Sequence, residues 1–172
     1  FILPGTVGDG RKGQMPIFYA LHAFKTQYYD KNPEVYRDFE LVYVGMSDDF
    51  LSRQILKHSK NLLGSKFKHH GKVTHDKSSE LIMASNMTVC YSLRECLPLF
   101  VFEGMAAGHP ILRNDSSGMK EQMIEGKTVF YLDSNNYQQI TDRFEEVLNK
   151  SKTSNRKLAD MSVHANKLAL DQ

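Results

Sequence analysis

The segment from Ser92 to Gly108 reads SLRECLPLFVFEGMAAG and carries two glutamates, Glu95 and Glu103, eight positions apart. Pro98 suits the first turn of a helix, where its missing N–H leaves no hydrogen bond unmade, and a glycine is typical of a helix end. The residues between them are almost all apolar, which predicts a buried helix. Because an unpaired charge is costly to bury, we expect Glu103 to face a group that donates hydrogen bonds.

The start of this helix is a candidate anion site. A helix start leaves backbone N–H groups without a partner inside the helix, and here these are the amides of Leu99 and Phe100, next to Pro98. Ser92 and Glu95 also fit a capping box, in which Glu95 would only close a helix end. A helix capped at Ser92 would place Pro98 in its interior, where proline breaks a backbone hydrogen bond, and this favours a functional Glu95.

Outward from this segment, short apolar runs alternate with helical patterns, which is typical of a parallel sheet covered on both faces. The expected strands are Phe1–Pro4, Glu40–Gly45, Phe67–Gly71, Thr88–Tyr91, Ile111–Asn114 and Thr128–Leu132. We therefore predict an α/β fold, a doubly wound, Rossmann-like parallel sheet of about six strands. In such folds ligands bind beyond the carboxyl ends of the strands.

Apolar residues at helical spacing predict seven helices between and after these strands. The first helix begins near Pro16, the second follows a cap at Ser47, the third spans Lys77–Ala84 and the fourth carries Glu103. The fifth runs from about Gly118 to Glu125, the sixth from Tyr137 to Leu148, and the seventh follows a polar break at Ser151–Asn155.

The composition of the chain is that of a globular protein. Its 172 residues, 41% hydrophobic and 24% charged, predict one domain over residues 1–172. A net charge of +2, with no basic stripe interleaved with aromatic residues, gives no case for nucleic acid. No membrane-length apolar run or signal peptide is present, and Cys90 and Cys96 match no zinc spacing, so we expect a cytoplasmic protein with reduced thiols. Since the chain opens directly on a strand-like run, we expect a fragment of a longer protein.

A glycine-rich turn from Gly5 to Gly13 follows the first expected strand. It lacks the G-x-G-x-x-G order of dinucleotide-binding turns, but it places Arg11 and Lys12 beside a helix start. Two cations at that place suit a diphosphate, because they stabilise the negative charge that grows on a departing phosphate. The chain has no D-x-D pair, so we expect no metal and no other cofactor.

Taken together, these motifs resemble the donor-binding half of retaining glycosyltransferases with the GT-B fold, and most of all family four. The resemblance rests on Glu-x7-Glu, on Gly-x-Pro at residues 108–110 and on Asp-x-x-Gly at residues 115–118, in the family's order. It covers essentially the whole chain, as a nucleotide-sugar-binding domain whose acceptor-binding N-terminal partner is absent.

The resemblance implies roles for single residues. Glu95 would lie against the transferred sugar, Glu103 would hold the ribose hydroxyls and Lys12 would contact the phosphates. Thr6 stands where many members carry an arginine, and Arg11 is the nearby cation that could replace it. For the base, the same resemblance implies a backbone contact from Val73, while Pro98, Leu99 and Phe100 form the helix start at the diphosphate.

The implied activity is transfer of a hexose, with retention and without a metal, from a UDP- or GDP-sugar to an acceptor hydroxyl. The acceptor would be a sugar or lipid held by the missing domain, in polysaccharide or glycolipid biosynthesis, and peripheral membrane association of the full-length protein is left open. The isolated chain would bind the donor but transfer nothing.

Other interpretations remain open from the residues. The chain could be half of a nucleotide-sugar 2-epimerase or a non-catalytic nucleotide-binding domain. A flavodoxin-type receiver domain would need clustered acids where Arg11 and Lys12 stand. We expect the strand histidines His69 and His70 to be structural, and His109 to be a turn residue without a catalytic role. For Asp115, helix capping and sugar contact are equally open.

Overall fold

The computed structural model describes residues 1–5, 13–45, 49–92, 99–115, 123–133 and 136–171. These ranges contain six strands in one sheet, with the order β3-β2-β1-β4-β5-β6 and every neighbouring pair parallel. The strands are β1 Ile2–Pro4, β2 Leu41–Val44, β3 Phe67–His69, β4 Thr88–Cys90, β5 Ile111–Asn114 and β6 Val129–Leu132. All six expected strands are present, and the predicted doubly wound α/β fold is confirmed.

Six α-helices lie within the same described ranges. They are α1 Gln14–Phe24, α2 Phe50–Leu63, α3 His75–Met83, α4 Leu99–Ala106, α5 Tyr137–Leu148 and α6 Lys152–Leu170. A π-helical turn, Lys25–Tyr29, continues α1, and a 3₁₀ turn, Gly64–Lys66, follows α2.

Both faces of the sheet are covered, because successive strand residues point to opposite sides. Leu3, Leu112 and Phe130 lie in one core with apolar residues of α1 and α5. Their strand neighbours Ile111 and Val129 lie in a second core with residues of α4 and α6. A sheet buried on both faces explains why its strands read as continuous apolar runs rather than as an alternating pattern.

The strand order reverses between β1 and β4, and this is the topological switch point where doubly wound folds bind ligands. The order matches the Rossmann arrangement 3-2-1-4-5-6 and differs from the flavodoxin order 2-1-3-4-5. The receiver-domain alternative is therefore wrong. Segments 6–12 and 93–98 follow β1 and β4 closely along the chain and carry most of the candidate residues.

The N-terminal cap of α2 differs from the prediction. Asp49 caps the helix, and its side chain accepts a hydrogen bond of 2.8 Å from the backbone N–H of Ser52. The predicted cap, Ser47, lies outside the described residues. Serine and aspartate are both good caps, so the sequence pattern did not distinguish two candidates that stand two positions apart.

Two other helices begin earlier than predicted. Thr74 caps α3 by accepting from the N–H of Lys77, so the helix starts at His75. Ser151 caps α6 by accepting from the N–H of Ser154, so the predicted polar break is the first turn of the helix. Polar residues at a helix start satisfy free N–H groups there, and for this reason they resemble a loop in the sequence.

Most of the predicted helix from Gly118 to Glu125 falls on residues outside the described ranges. Its last part, residues 123–125, is not helical. Glu125 forms an isolated bridge with Val129, and Gly126 turns the chain with a φ of 73°.

Candidate functional site

Segments 6–12 and 93–98, which follow the two strands at the switch point, carry five of the candidate residues. These are Thr6, Arg11, Lys12, Glu95 and Pro98, and all five lie outside the described residues. The structure does describe the residues on either side of both segments, and their contacts define how the segments are attached to the sheet.

The first segment is tied at both ends by one buried phenol. The hydroxyl of Tyr43 donates to the carbonyl oxygen of Gly5 at 2.5 Å and accepts from Nε2 of Gln14 at 3.2 Å. Gly5 precedes segment 6–12 and Gln14 comes soon after it. Burial raises the pKa of Tyr43, with the hydrogen bond from Gln14 acting in the opposite sense, so the phenol stays protonated and keeps its donor.

Gly13, which follows the first segment, and Tyr91, which lies shortly before the second, contact each other. The backbone N–H of Gly13 donates to the carbonyl oxygen of Tyr91 at 3.1 Å. A Cβ atom on Gly13 would lie 2.5 Å from Cδ1 of Tyr91, closer than real Cβ contacts allow. Gly13 therefore permits α1 to start directly against the end of β4.

The second segment is held by a reciprocal pair of hydrogen bonds between Asn114 and Ser92. The backbone N–H of Ser92 donates to Oδ1 of Asn114, and Nδ2 of Asn114 donates to the carbonyl oxygen of Ser92, both at 2.8 Å. Both residues are buried, and Ser92 directly precedes segment 93–98. Sequence reasoning treated Asn114 only as a strand end; the signal it overlooked is a buried amide at the carboxyl end of a strand.

Helix α4 places Glu103 at the surface rather than in the core. The Glu103 side chain is 36% exposed, and its Oε1 lies 3.8 Å from Nδ1 of His75. Leu99 is 69% exposed, while Val101 and Met105 are buried. The prediction of a buried helix is therefore wrong for this side of α4. Glu103 is open to a ligand, and the nearby imidazole is a group that sequence reasoning had not assigned to the site.

The turn after β3 lies beside the same helix. Val73 and Phe100 pack partly buried on one small core formed by Ile2, Val44 and Ile82. The turn proposed to face a base and the first turn of α4 therefore share one core.

The histidines of β3 and of the turn before β5 have structural contacts. Nε2 of His69 lies 3.0 Å from the carbonyl oxygen of Gly45, at the end of the neighbouring strand. His109 is buried, and its Nδ1 lies 2.9 Å from Oγ1 of Thr88. These contacts agree with the structural roles expected for both histidines.

Other features of the described residues bear on the site. Within those ranges no group of three or more His, Cys, Asp or Glu side chains could hold a metal ion. A cleft of about 630 Å³ lies at the opposite, amino-terminal edge of the sheet, lined by residues such as Val42, Met87 and His109. We place the site at the carboxyl edge instead, because the switch point in the strand order lies there and the motifs follow the carboxyl ends of the strands.

None of the helices in the described ranges combines the length and apolar character needed to cross a bilayer.

The fold and this edge define a doubly wound α/β domain with its candidate ligand site at the switch point. Residues 11–161 match the family model of the Glycosyl transferases group 1. The chain therefore belongs to the family of group 1 glycosyl transferases. A comparison with curated proteins finds no match.

Solved structures agree on the fold. The C-terminal domain of a group 1 glycosyl transferase, LpcC from Francisella tularensis, superposes with a TM-score of 0.79 at 16% identity, over 99% of this chain and 84% of that one. A glycosyltransferase from Rickettsia africae gives a TM-score of 0.75 at 18% identity, over 99% of this chain and 42% of that one. HepE from Anabaena, solved in complex with UDP and glucose, gives a TM-score of 0.75 at 16% identity, over 99% of this chain and 43% of that one.

The chain thus spans less than half the length of the Rickettsia and Anabaena proteins. Its fold is that of the C-terminal half of a GT-B protein, and the recognition made from the motifs is confirmed.

Proposed function

We propose that this chain is the donor-binding half of a retaining glycosyltransferase that moves a hexose from a nucleotide-diphosphate sugar to an acceptor hydroxyl. The observation that carries the proposal is the place of Glu103, half exposed on α4 beside the switch point, in a chain of the group 1 glycosyl transferase family. The complex of HepE with UDP and glucose supports a UDP-type donor.

Each part of the donor has a proposed partner. Glu103 accepts hydrogen bonds from the ribose hydroxyls, and the backbone at Val73 meets the base. Lys12, Arg11 and Thr6 bind the diphosphate together with the amides of Leu99 and Phe100, which follow Pro98 in the sequence. Glu95 holds the sugar. During transfer the bond from C1 of the sugar to the diphosphate breaks, the acceptor oxygen bonds to C1 and its proton passes to the departing diphosphate oxygen, while the cations stabilise the leaving group.

We propose that donor binding needs no metal, because the chain lacks a D-x-D pair and offers Arg11 and Lys12 in its place. UDP affinity measured by calorimetry should be the same with magnesium and with a chelator. Loss of binding in the chelator would contradict this part of the proposal.

The proposed acceptor is a sugar or lipid bound by a domain outside this chain, in a cytoplasmic setting. The chain alone should bind donor and transfer nothing, since it holds only the donor side. Transfer of sugar by this chain to any acceptor would contradict the proposal that donor and acceptor bind to different domains.

Titration with UDP, GDP and ADP tests the function and identifies the base. Glu103→Gln keeps the shape of the side chain but removes its charge, and it should weaken binding of the preferred nucleotide about tenfold. A 2′,3′-dideoxy form of that nucleotide should bind the wild type and the variant equally. Glu80→Gln, an exposed change on α3, is the matched control and should alter neither affinity.

Two outcomes would overturn the assignment. One is absence of binding for all three diphosphates to the folded chain. The other is an equal loss of the normal and dideoxy nucleotides in Glu103→Gln, because the carboxylate would then act on something other than ribose. Thermal melting of each variant separates these outcomes from unfolding.

A further inference from the structure

The positive charge of this chain is concentrated in one segment. Residues 50–75 contain six Lys or Arg residues and no Asp or Glu, while the net charge of the whole chain is only +2. The rest of the chain is therefore net negative. The segment comprises α2, the 3₁₀ turn, β3 and the following turn, all of which the structure describes. β3 is also an edge strand of the sheet.

Helix α2 turns its cations outward. Ser52, Ser59 and Leu63 form its buried side. The side chains on the outer side are exposed, and they include Arg53, Lys57 and Lys60. At the start of the helix two large apolar side chains are exposed side by side, Phe50 at 71% and Leu51 at 58%. We call the exposed α2 residues Phe50, Leu51, Arg53, Lys57 and Lys60 the basic face.

The elements packed around α2 do little to neutralise this charge. Helix α1 contacts α2, and residues 13–29, which contain it, include no Asp or Glu. Asp48 and Asp49 precede α2 in the chain, and Asp49 caps the helix. Its own contact with Ser52 holds the pKa of Asp49 below the usual value.

Carboxylates compensate only part of the segment. Asp38 pairs with Lys66, and Glu40 lies 3.7 Å from Lys68. Among the described residues, Lys57, Lys60 and Lys72 form no ion pair. Two of these cations, Lys57 and Lys60, are thus exposed on the same helix as the exposed apolar pair.

We propose that the basic face docks on an anionic lipid surface, with Phe50 and Leu51 entering the boundary between headgroups and acyl chains. The negative potential of such a surface attracts lysine side chains, and an amphipathic basic helix lies along the surface. Phosphate groups of a nucleic acid would also attract the cations. The adjacent exposed Phe50 and Leu51 favour a lipid surface, because a bilayer offers an apolar layer beneath its charge.

Docking in this way sets the orientation of the domain. Helix α2 begins after the carboxyl end of β2, so Phe50 and Leu51 lie at the same edge of the sheet as Glu103. The candidate site would face along the bilayer surface, close to molecules embedded in it. The proposal does not depend on the proposed transfer reaction, because it concerns only where the chain binds.

Vesicle flotation tests the charge component. The chain should bind phosphatidylcholine vesicles that contain phosphatidylglycerol, and high salt should release it. Lys57→Gln/Lys60→Gln should lower binding roughly 30-fold, since each basic residue near the surface contributes a factor of about five. The matched control Lys152→Gln/Lys167→Gln removes the same charge from α6 and should bind like the wild type.

A second pair of variants tests the apolar component. Phe50→Ala/Leu51→Ala should reduce binding to the same anionic vesicles even at low salt, because it removes the inserted side chains. Met83→Ala/Leu170→Ala, at two other exposed apolar positions, should leave it unchanged. Thermal melting confirms that each variant is folded.

The proposal is overturned by any of three results. These are equal binding to vesicles with and without phosphatidylglycerol, equal loss in the α2 and α6 lysine variants, and binding to a DNA duplex while anionic vesicles are ignored.

Discussion

Gly104 of α4 packs directly against Thr88 of β4. A Cβ atom on Gly104 would lie 2.1 Å from Oγ1 and 2.9 Å from Cβ of Thr88. Helix α4 therefore approaches β4 as nearly as a glycine permits, and Glu103 precedes Gly104 on that helix. The contact sets how far Glu103 stands from the switch point.

Gly104→Ala should lower the free energy of unfolding by about 1–3 kcal/mol, because the added methyl group overpacks a rigid contact. It should also weaken nucleotide binding by moving Glu103. Urea unfolding and calorimetry measure the two effects. Ala106→Ser, on the exposed side of α4, is the control and should stay within about 0.5 kcal/mol of the wild type. Unchanged stability in Gly104→Ala would mean that α4 moves freely on the sheet.

Tyr43→Phe should release both ends of segment 6–12. The variant keeps the ring but removes the hydroxyl that bonds Gly5 and Gln14, at a loss of about 1 kcal/mol of stability. UDP affinity should fall while uridine affinity holds, because the segment carries the proposed phosphate ligands. Tyr19→Phe, which removes an exposed hydroxyl, is the control. Equal loss of UDP and uridine would place the effect elsewhere.

Asn114→Asp should disrupt the attachment of segment 93–98. The new carboxylate oxygen would face the carbonyl oxygen of Ser92, where an N–H now donates, and we expect about 1–3 kcal/mol of destabilisation. Chemical denaturation measures it, with the exposed change Asn32→Asp as control. A silent Asn114→Asp would show that the reciprocal pair does not hold Ser92.

His109 should make the domain acid-sensitive. Burial lowers the pKa of His109 below its ordinary value of 6.5, with a smaller opposing contribution from a hydrogen bond to the backbone of Ser85. Between the two pKa values the unfolded chain binds more protons than the folded one, so stability should fall as the pH drops below about 6.5. For one histidine the slope cannot exceed about 1.4 kcal/mol per pH unit. Below the folded pKa the loss should stop growing.

Urea unfolding across this pH range measures the effect. His109→Gln should remove that part of the pH dependence, whereas His164→Gln, at an exposed position on α6, should retain it. Identical pH profiles for the wild type and His109→Gln would contradict the assignment.

Lys12→Ala should weaken UDP binding about ten- to a hundredfold, because a charge-assisted contact to phosphate contributes roughly 1.5–3 kcal/mol. Uridine, which has no phosphate, should bind both proteins alike. Calorimetry with the two ligands measures the difference. If uridine lost as much affinity as UDP, Lys12 would not contact the diphosphate.

The apolar runs by themselves determined the sheet. Strands buried on both faces are mostly apolar, so runs such as Leu41–Val44 are recognisable without any neighbour, and alternation with helices predicts that they are parallel. The resemblance to the family rests on Glu-x7-Glu together with Gly-x-Pro and Asp-x-x-Gly in the family's order, and the family model agrees with it. Helix ends were less certain, because Ser47 and Asp49 have similar capping chemistry and only the local backbone selects one of them.

Tertiary structure alone decided the contacts around the site. Asn114 meets Ser92, and His75 approaches Glu103, only because β5 lies beside β4 and α3 beside α4. Sequence separation carries no information on such pairs. The same holds for charge, because a net charge of +2 does not say where the charged side chains lie. Folding exposes Lys57 and Lys60 on the outer side of α2, opposite its buried side.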